Sequence, residues 1–114
     1  MSILLSTGTI PPPGTQEIGI VYGTSCLSRN FVEDLVGTTR NATIGGELRT
    51  YSDLMGEGVE LALQRLEDKA EEAGADGVYG VRIATPQVTG GAAEIVAYGT
   101  AWRSILPGGQ DEEA

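Results

Sequence analysis

The sequence has no histidine and only one cysteine, Cys26. Soft metal ions such as zinc are held by several thiolates or imidazoles, so a single chain cannot complete such a site. A lone cysteine also excludes an internal disulfide, and the cysteine usage gives no sign of an oxidising compartment. Because histidine is the commonest general base, its absence removes the usual partner of a catalytic nucleophile, and we expect no enzymatic activity.

Basic residues and long apolar runs are both scarce. The chain carries 7 Lys and Arg against 16 Asp and Glu, a formal net charge of −9, which repels phosphate backbones and anionic lipid surfaces. We therefore expect neither nucleic acid nor a membrane as a partner. No apolar run approaches the about 20 residues of a membrane helix, and the opening MSILLSTGTIPPPG lacks the basic region of a signal peptide. The prediction is a cytoplasmic protein.

Sequence motifs for nucleotide cofactors are absent as well. The glycine pairs at 45–46, 90–91 and 108–109 do not belong to a GxxxxGKS/T or GxGxxG motif ahead of a helix, so they do not predict a phosphate-binding loop. We expect no cofactor.

The chain does have enough length for one domain. Its 114 residues include 17 glycines, most of them within apolar stretches, which is typical of a globular fold with tight turns and closely packed strands. Residues 1–106 are predicted to form this domain. Residues 107–114 have no hydrophobic periodicity and end in QDEEA, so we predict a disordered acidic tail.

The first part of the chain predicts two strands and a short helix. SILLST predicts a first strand, which the three prolines of IPPPG end. EIGIVYGTS alternates, with Ile18, Ile20 and Tyr22 on one face. Gly19 and Gly23 lie on the other face, which must approach another element closely. NFVEDLVG has capping residues at both ends and predicts a short helix.

The second part predicts a long helix and two more strands. The helix is expected to begin near Ser52 or Asp53 and to end at Gly74. Its apolar stripe comprises Met55, Val59, Ala62, Leu63, Leu66, Ala70 and Ala73. DGVYGVRIAT and EIVAYGTAW predict the strands, joined by a glycine-containing hairpin loop.

Alternation assigns the faces of these last two strands. Tyr79, Val81 and Ile83 are predicted to share a face of the first strand. The second strand is predicted to carry Val96, Tyr98, Thr100 and Trp102 on one face, and Ile95, Ala97, Gly99 and Ala101 on the other. The predicted order is β-β-α-α-β-β, an α+β fold in which one long helix packs on a small, mostly antiparallel sheet.

Two sets of side chains suggest ligand sites, and each has a simpler alternative. The carboxylate pairs Glu57–Glu60 and Glu67–Glu71 share helix faces and could bind a hard cation, or they could form a solvated helix face. Tyr98 and Trp102 on one strand face could stack on a planar ligand, or they could belong to the core or an interface.

Several segments together resemble the YbjQ family, also called UPF0145. They are GIVYG, CLSRNF, IGG, Tyr51 with the long helix after it and, above all, GADGVYGVRI. The resemblance covers roughly residues 3–103 and is most specific from Tyr51 onward. Gly74, Ala75 and Asp76 match the Gly-Ala-Asp of the family.

Other positions match the family or depart from it. Asn30 matches the asparagine that opens the first helix, and Arg40 matches a basic residue after that helix. Thr24 replaces an acidic residue of the family, and Gly58–Val59 replace an Ala-Arg pair. These departures weaken any charge-dependent site that would use those positions.

The resemblance implies an oligomer-forming, dodecin-like subunit. Members of the family are small bacterial and archaeal proteins labelled "putative heavy-metal-binding", and the resemblance implies no established activity. It does imply assembly through sheet edges into a homo-oligomeric ring, commonly a pentamer, or two pentamers stacked into a decamer. The expected partner is therefore a second copy of the same chain.

The resemblance also suggests two sites. Asp76 either stabilises the turn after the helix or lines a ligand pocket between subunits with Asn30, Arg40 and Tyr51. The position of Cys26 is usually aliphatic in the family, so we expect Cys26 to be a small buried hydrophobe at the end of the second strand. The alternative is a symmetric thiolate site formed by several copies of Cys26 around a ring axis.

Three hypotheses about function follow. The first is a non-enzymatic, ring-forming homo-oligomer of unknown cellular role. The second is an oligomer that binds a metal ion or a small ligand between subunits. An enzyme ranks third, because it would need a Lys or Tyr base in a cleft between subunits.

Overall fold

The computed structural model describes residues 2–27, 46–86 and 93–105. Within these ranges the side chains of Leu27, residues 46–51 and Ala93 are not described. The elements are β1 (Leu4–Leu5), β2 (Thr15–Leu27), α1 (Gly46–Glu72), β3 (Gly77–Ala84) and β4 (Ala93–Ser104). The architecture is α+β, with one long helix on a sheet. The predicted short helix NFVEDLVG and the acidic tail 107–114 lie outside the described residues.

The sheet is mixed, with the strand order β1-β3-β4-β2. β4 pairs antiparallel with both β2 and β3, while β1 pairs with β3 in parallel. Parallel pairing of β1 depends on a contact far along the chain, which local patterns do not contain. The first strand is also shorter than the predicted SILLST, because only Leu4 and Leu5 are paired as a ladder.

The helix α1 begins at Gly46, six residues before the predicted start at Ser52. Ser52 and Asp53 are good capping residues, but the preceding ELR consists of good helix formers, and Glu47 favours the positive end of a helix. Local capping signals therefore did not decide where the helix begins.

One face of α1 is buried on the sheet. The helix residues in the buried core cluster are Ala62, Leu66 and Ala70, and the half-buried Met55, Val59 and Leu63 pack against it. Leu54 is also buried but lies outside this described cluster. The predicted stripe is largely confirmed, although Leu54 was missed. Ala73 is exposed and lies beyond the last helical residue.

The helix and β2 are in close contact at a glycine. A Cβ atom on Gly23 would collide with backbone atoms of Ala62, Arg65 and Leu66. Nearby, the buried Ser25 Oγ donates a hydrogen bond of 2.7 Å to the carbonyl oxygen of Gly58 in α1. The predicted close approach of the glycine face is therefore confirmed at Gly23, where it places α1 directly over β2, but a Cβ atom on Gly19 would contact no described neighbour.

The end of α1 is as predicted. Gly74 has a φ of 79°, and its N–H donates to Glu71 O at 3.0 Å while Ala75 N–H donates to Ala70 O at 2.9 Å. This pair of bonds is the Schellman motif, in which a left-handed glycine ends a helix.

The predicted faces are right for β4 and wrong for β3. The β4 residues Ile95, Ala97, Gly99 and Ala101 are buried beneath the helix. In β3 the register shifts between Tyr79 and Arg82, because Gly80, with a φ of 67°, inserts a bulge. Val81 and Ile83 therefore share the helix-side face, and Tyr79 lies on the opposite face.

Among the described helices, none is long and apolar enough to cross a membrane.

Candidate functional site

The predicted site residue Asp76 joins the ends of two strands. Its Oδ2 accepts a hydrogen bond of 2.8 Å from Ser104 N–H, and its own N–H donates to Trp102 O at 2.8 Å. The carbonyl oxygen of Asp76 accepts from Leu4 N–H at 3.2 Å. Asp76 is exposed, and these bonds give it a structural role between β1, β3 and β4.

Of the other predicted site residues, the described backbone places only Tyr51, which lies far from Asp76 within one chain. Tyr51 lies near the start of α1 and Asp76 lies just past its end. At about 1.5 Å of rise per residue, the part of α1 after Tyr51 is about 30 Å long. The side chain of Tyr51, and all of Asn30 and Arg40, lie outside the described residues. A pocket that contains both Asp76 and Tyr51 therefore requires two subunits.

The prediction that Cys26 is buried is wrong. Its thiol is exposed, and Cys26 pairs in register with Glu94 of β4. The register places Cys26 on the sheet face opposite α1, because its neighbour Ser25 faces the helix. Because successive side chains in a strand point to opposite faces, a cysteine next to a helix-facing serine has to lie on the other face.

We call the sheet face opposite α1 the open face. Its exposed large residues include Ile20, Tyr22 and Tyr98. Ile20 is 80% exposed, and Tyr22 lies opposite Tyr98 in the β2–β4 register. Exposed aromatic and aliphatic side chains on neighbouring strands are typical of an interaction surface.

The predicted stacking pair on this face is not available as a pair. Trp102 is only 9% exposed, and its ring lies where a Cβ atom of Gly77 would be. Trp102 therefore fills the space above Gly77, whereas Tyr98 remains 41% exposed. The partner of Tyr98 on the accessible surface is Tyr22.

A tyrosine–carboxylate pair lies at one side of the open face. Tyr79 Oη donates a hydrogen bond of 3.2 Å to Glu17 Oε1. Desolvation of the phenol by partial burial, followed by the negative charge of Glu17, raises the pKa of Tyr79 above its ordinary value of 10.0. The phenol of Tyr79 is therefore protonated at neutral pH and donates this hydrogen bond.

The outer edge of β2 has no pairing strand among the described residues. Asp76 N–H bonds to Trp102 O, so the even-numbered residues of β4 direct their backbone groups toward β3. Ile105 N–H bonds to Gly14 O, so the odd-numbered ones face β2. From Gly19 onward, after the register shift between Glu17 and Gly19, their partners in β2 are also odd-numbered. In this part of β2 the backbone groups that face outward are those of Ile20, Tyr22, Thr24 and Cys26.

A cleft of about 370 Å³ runs along this edge. Its walls are Tyr22, Gly23 and Thr24 of β2 and Arg65, Asp68, Lys69 and Glu72 of α1. Because α1 lies over β2 and β2 is the last strand of the sheet, one side of the helix projects past the sheet edge. We call this cleft the edge cleft.

The opposite side of the helix leaves part of the sheet uncovered. A groove of about 230 Å³ there is lined by Leu5, Ser6, Thr7, Leu63, Val81 and Ile83. Ile83 is exposed, and Leu63 is half-buried. We call this the β3 groove. Sequence patterns did not reveal it, because its apolar lining depends on the Gly80 bulge.

The helix carboxylates behave as a solvated face. Glu57, Glu60 and Glu71 are exposed, and Glu67 is half-buried. In the part of the chain that the structure describes, no group of three or more Cys, Asp or Glu side chains is arranged to hold a metal ion.

Sequence patterns missed the edge cleft for a similar reason. The sequence shows that β2 alternates and that α1 has charged residues at 65, 68, 69 and 72. Only the strand order shows that β2 is an edge strand. The signal available in the sequence was Ile20, an isoleucine in a strand whose other face is mostly glycine and serine. The structure shows that this isoleucine is exposed.

Comparison with known proteins gives one consistent result. The model of the family described as "putative heavy-metal-binding" and named YbjQ matches residues 3–104. A UPF0145 protein of Natronomonas pharaonis is 46% identical over 100 residues, covering 87% of this chain and 95% of that protein. A UPF0145 protein of Clostridium perfringens is 37% identical, covering 87% and 93%.

A solved structure supports the fold. The crystal structure of a protein of unknown function from Pediococcus pentosaceus, assigned to the DUF74 family, has a TM-score of 0.60 to this chain. It is 19% identical and covers 90% of this chain and 97% of its own. The names of these relatives state no enzymatic activity. From the match over residues 3–104 and the identities with these relatives, the chain belongs to the YbjQ family, UPF0145.

Proposed function

We propose that this protein is a non-enzymatic subunit that assembles with copies of itself into a closed ring. The observation that carries this proposal is the outer edge of β2, beneath the projecting side of α1, with which no described strand pairs. The proposed ring is a pentamer, or two stacked pentamers, by resemblance to the family. Its cellular role would be that of an interaction module rather than a catalyst.

A strand edge of this length that lacks a partner within the described ranges favours strand addition. β2 is 13 residues long, and its outward N–H and C=O groups need partners or water. Proteins commonly protect long edge strands or use them to bind another strand. The exposed Ile20 and Tyr22 lie on this same strand, so a neighbour that pairs with it would also cover apolar surface.

The two sides of the molecule differ in a way that suits head-to-tail assembly. The β2 side has a projecting helix, and the β3 side has a sheet that the helix leaves uncovered at the β3 groove. The β3 half of one subunit can therefore enter beneath the helix of the next. Contacts between different surfaces of identical subunits form rings when the rotation between neighbours closes.

Head-to-tail contact also offers a way to complete the predicted ligand pocket. Asp76 follows the C-terminal end of α1, while Tyr51 lies near the N-terminal end. A pocket formed by Asp76 of one subunit and Tyr51, Asn30 and Arg40 of another requires opposite helix ends to meet. This pocket is part of the proposal.

A proline on the free edge tests the assembly. In Tyr22→Pro the only backbone donor removed is one that faces outward, and the preceding Val21 is already in the extended conformation that a following proline favours. Tyr22→Ala is the matched control, since it removes the same side chain but keeps the N–H group. In native mass spectra we expect the fraction of monomer to be at least tenfold higher for Tyr22→Pro than for Tyr22→Ala.

Equal assembly of the two variants would overturn pairing at this edge. Circular dichroism of both variants shows whether the fold is retained, and Thr24→Pro provides a second edge position if Tyr22→Pro does not fold.

A second candidate function is metal binding between subunits, favoured by the exposure of Cys26 beside Glu94. One thiolate and one carboxylate per chain are too few for a metal site, but several subunits could supply a full set. Native mass spectra of protein supplied with zinc, before and after EDTA, test it. A stoichiometric adduct that EDTA and Cys26→Ser both remove would support this function, and no adduct would exclude zinc.

A further inference from the structure

The edge cleft contains a side chain that already occupies part of the β2 edge. Arg65 Nη1 donates a hydrogen bond of 2.7 Å to the carbonyl oxygen of Thr24. Thr24 O is one of the outward-facing groups that an added strand would need. A charged donor forms a stronger hydrogen bond than a neutral amide, so this contact competes directly with strand addition.

An arginine occupies the opposite edge in the same way. Arg82 Nη1 donates to Val81 O at 2.8 Å and to Thr7 O at 2.9 Å. Val81 N–H donates outward to Ser6 O, so its carbonyl also lies on the outer side of β3. At each side of the sheet, an arginine therefore binds a carbonyl that faces away from β4.

Together these contacts leave a short stretch of each edge open. On β2, between the register shift after Glu17 and Thr24, the outward groups to which no described residue is bonded are those of Ile20 and Tyr22. On β3 the residues up to Val81 bond to the segment 4–8, so Ile83 is the next outward residue in the strand. Strand pairing over only a few residues is compatible with a ring, in which neighbouring subunits share a short contact. Pairing along all of β2 would instead favour open, fibre-like stacks.

We propose that Arg65 limits strand addition at the β2 edge, so that a neighbouring copy of this chain pairs with Ile20 and Tyr22 and stops before Thr24. This inference rests on the proposed function for the identity of the neighbour. Arg65 acts as a specificity-determining residue: it does not attract the partner strand but sets where the pairing ends.

Lys69 provides a matched control. It lines the same cleft one helical turn further along, and no described hydrogen bond joins it to β2. Arg65→Gln and Lys69→Gln each remove one positive charge from the cleft, so a general charge effect changes both variants equally. Arg65→Lys keeps the charge and can still donate to Thr24 O.

The experiment measures the distribution of assembly sizes by native mass spectrometry and light scattering, with thioflavin T fluorescence to detect stacked strands. We expect one discrete species for the wild type, Lys69→Gln and Arg65→Lys. We expect Arg65→Gln to give a broad distribution with at least a tenfold larger fraction above the main species. Thermal unfolding of each variant identifies loss of the fold, and Arg65→Met provides a second neutral variant.

The outcomes separate the two proposals. A discrete species that is identical in Arg65→Gln and the wild type would overturn the role of Arg65 and leave the ring proposal standing. Monomers in Arg65→Gln alone would also overturn it, because Arg65 would then be a contact that holds the assembly. A monomeric wild type would contradict the ring, while larger species from Arg65→Gln would still support the limit on strand addition.

Discussion

Tyr79 and Glu17 show how a single pair responds to pH. Their hydrogen bond of 3.2 Å uses the protonated phenol as donor, and desolvation together with the Glu17 charge raises the pKa of Tyr79. In the unfolded chain the phenol ionises at its ordinary pKa. Above about pH 10 the unfolded state therefore loses its proton before the folded state does, and the folded state becomes less stable.

The raised pKa of Tyr79 predicts a pH-dependent effect of Tyr79→Phe. The stabilisation from the raised pKa is present below about pH 10 and is lost as the pH rises through the folded pKa. We expect the urea midpoint of the wild type to fall more steeply than that of Tyr79→Phe between about pH 9 and about pH 11. Urea midpoints that fall equally with pH in the two proteins would show that the pKa of Tyr79 is the same in the folded and unfolded states.

The contact of α1 with β2 is the element-scale feature that positions the edge cleft. Gly23 has no room for a Cβ atom because helix backbone atoms of Ala62, Arg65 and Leu66 lie there. Beyond the neighbouring helix backbone, no described atom lies within 4 Å of the position that a Cβ atom on Gly56 of α1 would take. The two glycines therefore differ sharply in what a methyl group would do.

Alanine at these two glycines should have opposite effects on stability. We expect Gly23→Ala to destabilise the protein by about 1–3 kcal/mol, because backbone cannot move aside as a flexible side chain can. We expect Gly56→Ala to stabilise it by about 0.5–1 kcal/mol, as in an exposed helix interior. Urea unfolding at one fixed subunit concentration measures both. Equal changes in the free energy of unfolding from the two substitutions would contradict the close approach of α1 to Gly23.

Local patterns predicted those features that local physics decides. The Gly74 helix end, the helix stripe and the faces of β4 follow from capping and periodicity. The bulge at Gly80 was not predictable, since a glycine within a strand pattern is compatible with a bulge or with close packing. The parallel pairing of β1 and the position of β2 at the edge depend on the strand order, which has no signature in any one segment.

The candidate sites show the same contrast between what local patterns predict and what only the three-dimensional arrangement shows. The residues Asn30, Arg40, Tyr51 and Asp76 came from a family resemblance, and the structure shows only that Asp76 and Tyr51 lie at opposite ends of α1. The burial of Cys26 was inferred from the usual preference of cysteine. The alternation of β2 with Ser25 on the helix side places Cys26 on the open face instead.

For the whole molecule, the net charge opposes self-association. The chain carries a net charge of −9, and acidic residues of α1 lie on its solvated face. The open face carries the uncharged side chains of Ile20, Tyr22 and Tyr98, and Arg82 lies opposite Tyr98 in the β3–β4 register. Copies of an acidic protein repel one another at long range, so stable assembly requires contact through the uncharged surfaces and the free strand edges.

The native mass of the untreated protein tests the account most directly. We predict a single closed assembly whose mass is an integer multiple of the 11.9 kDa subunit, a pentamer or a decamer, that remains intact across a tenfold dilution. A protein that stays monomeric at concentrations of about 100 μM would contradict the central claim, because the β2 edge and the open face would then be surfaces that the chain leaves in water.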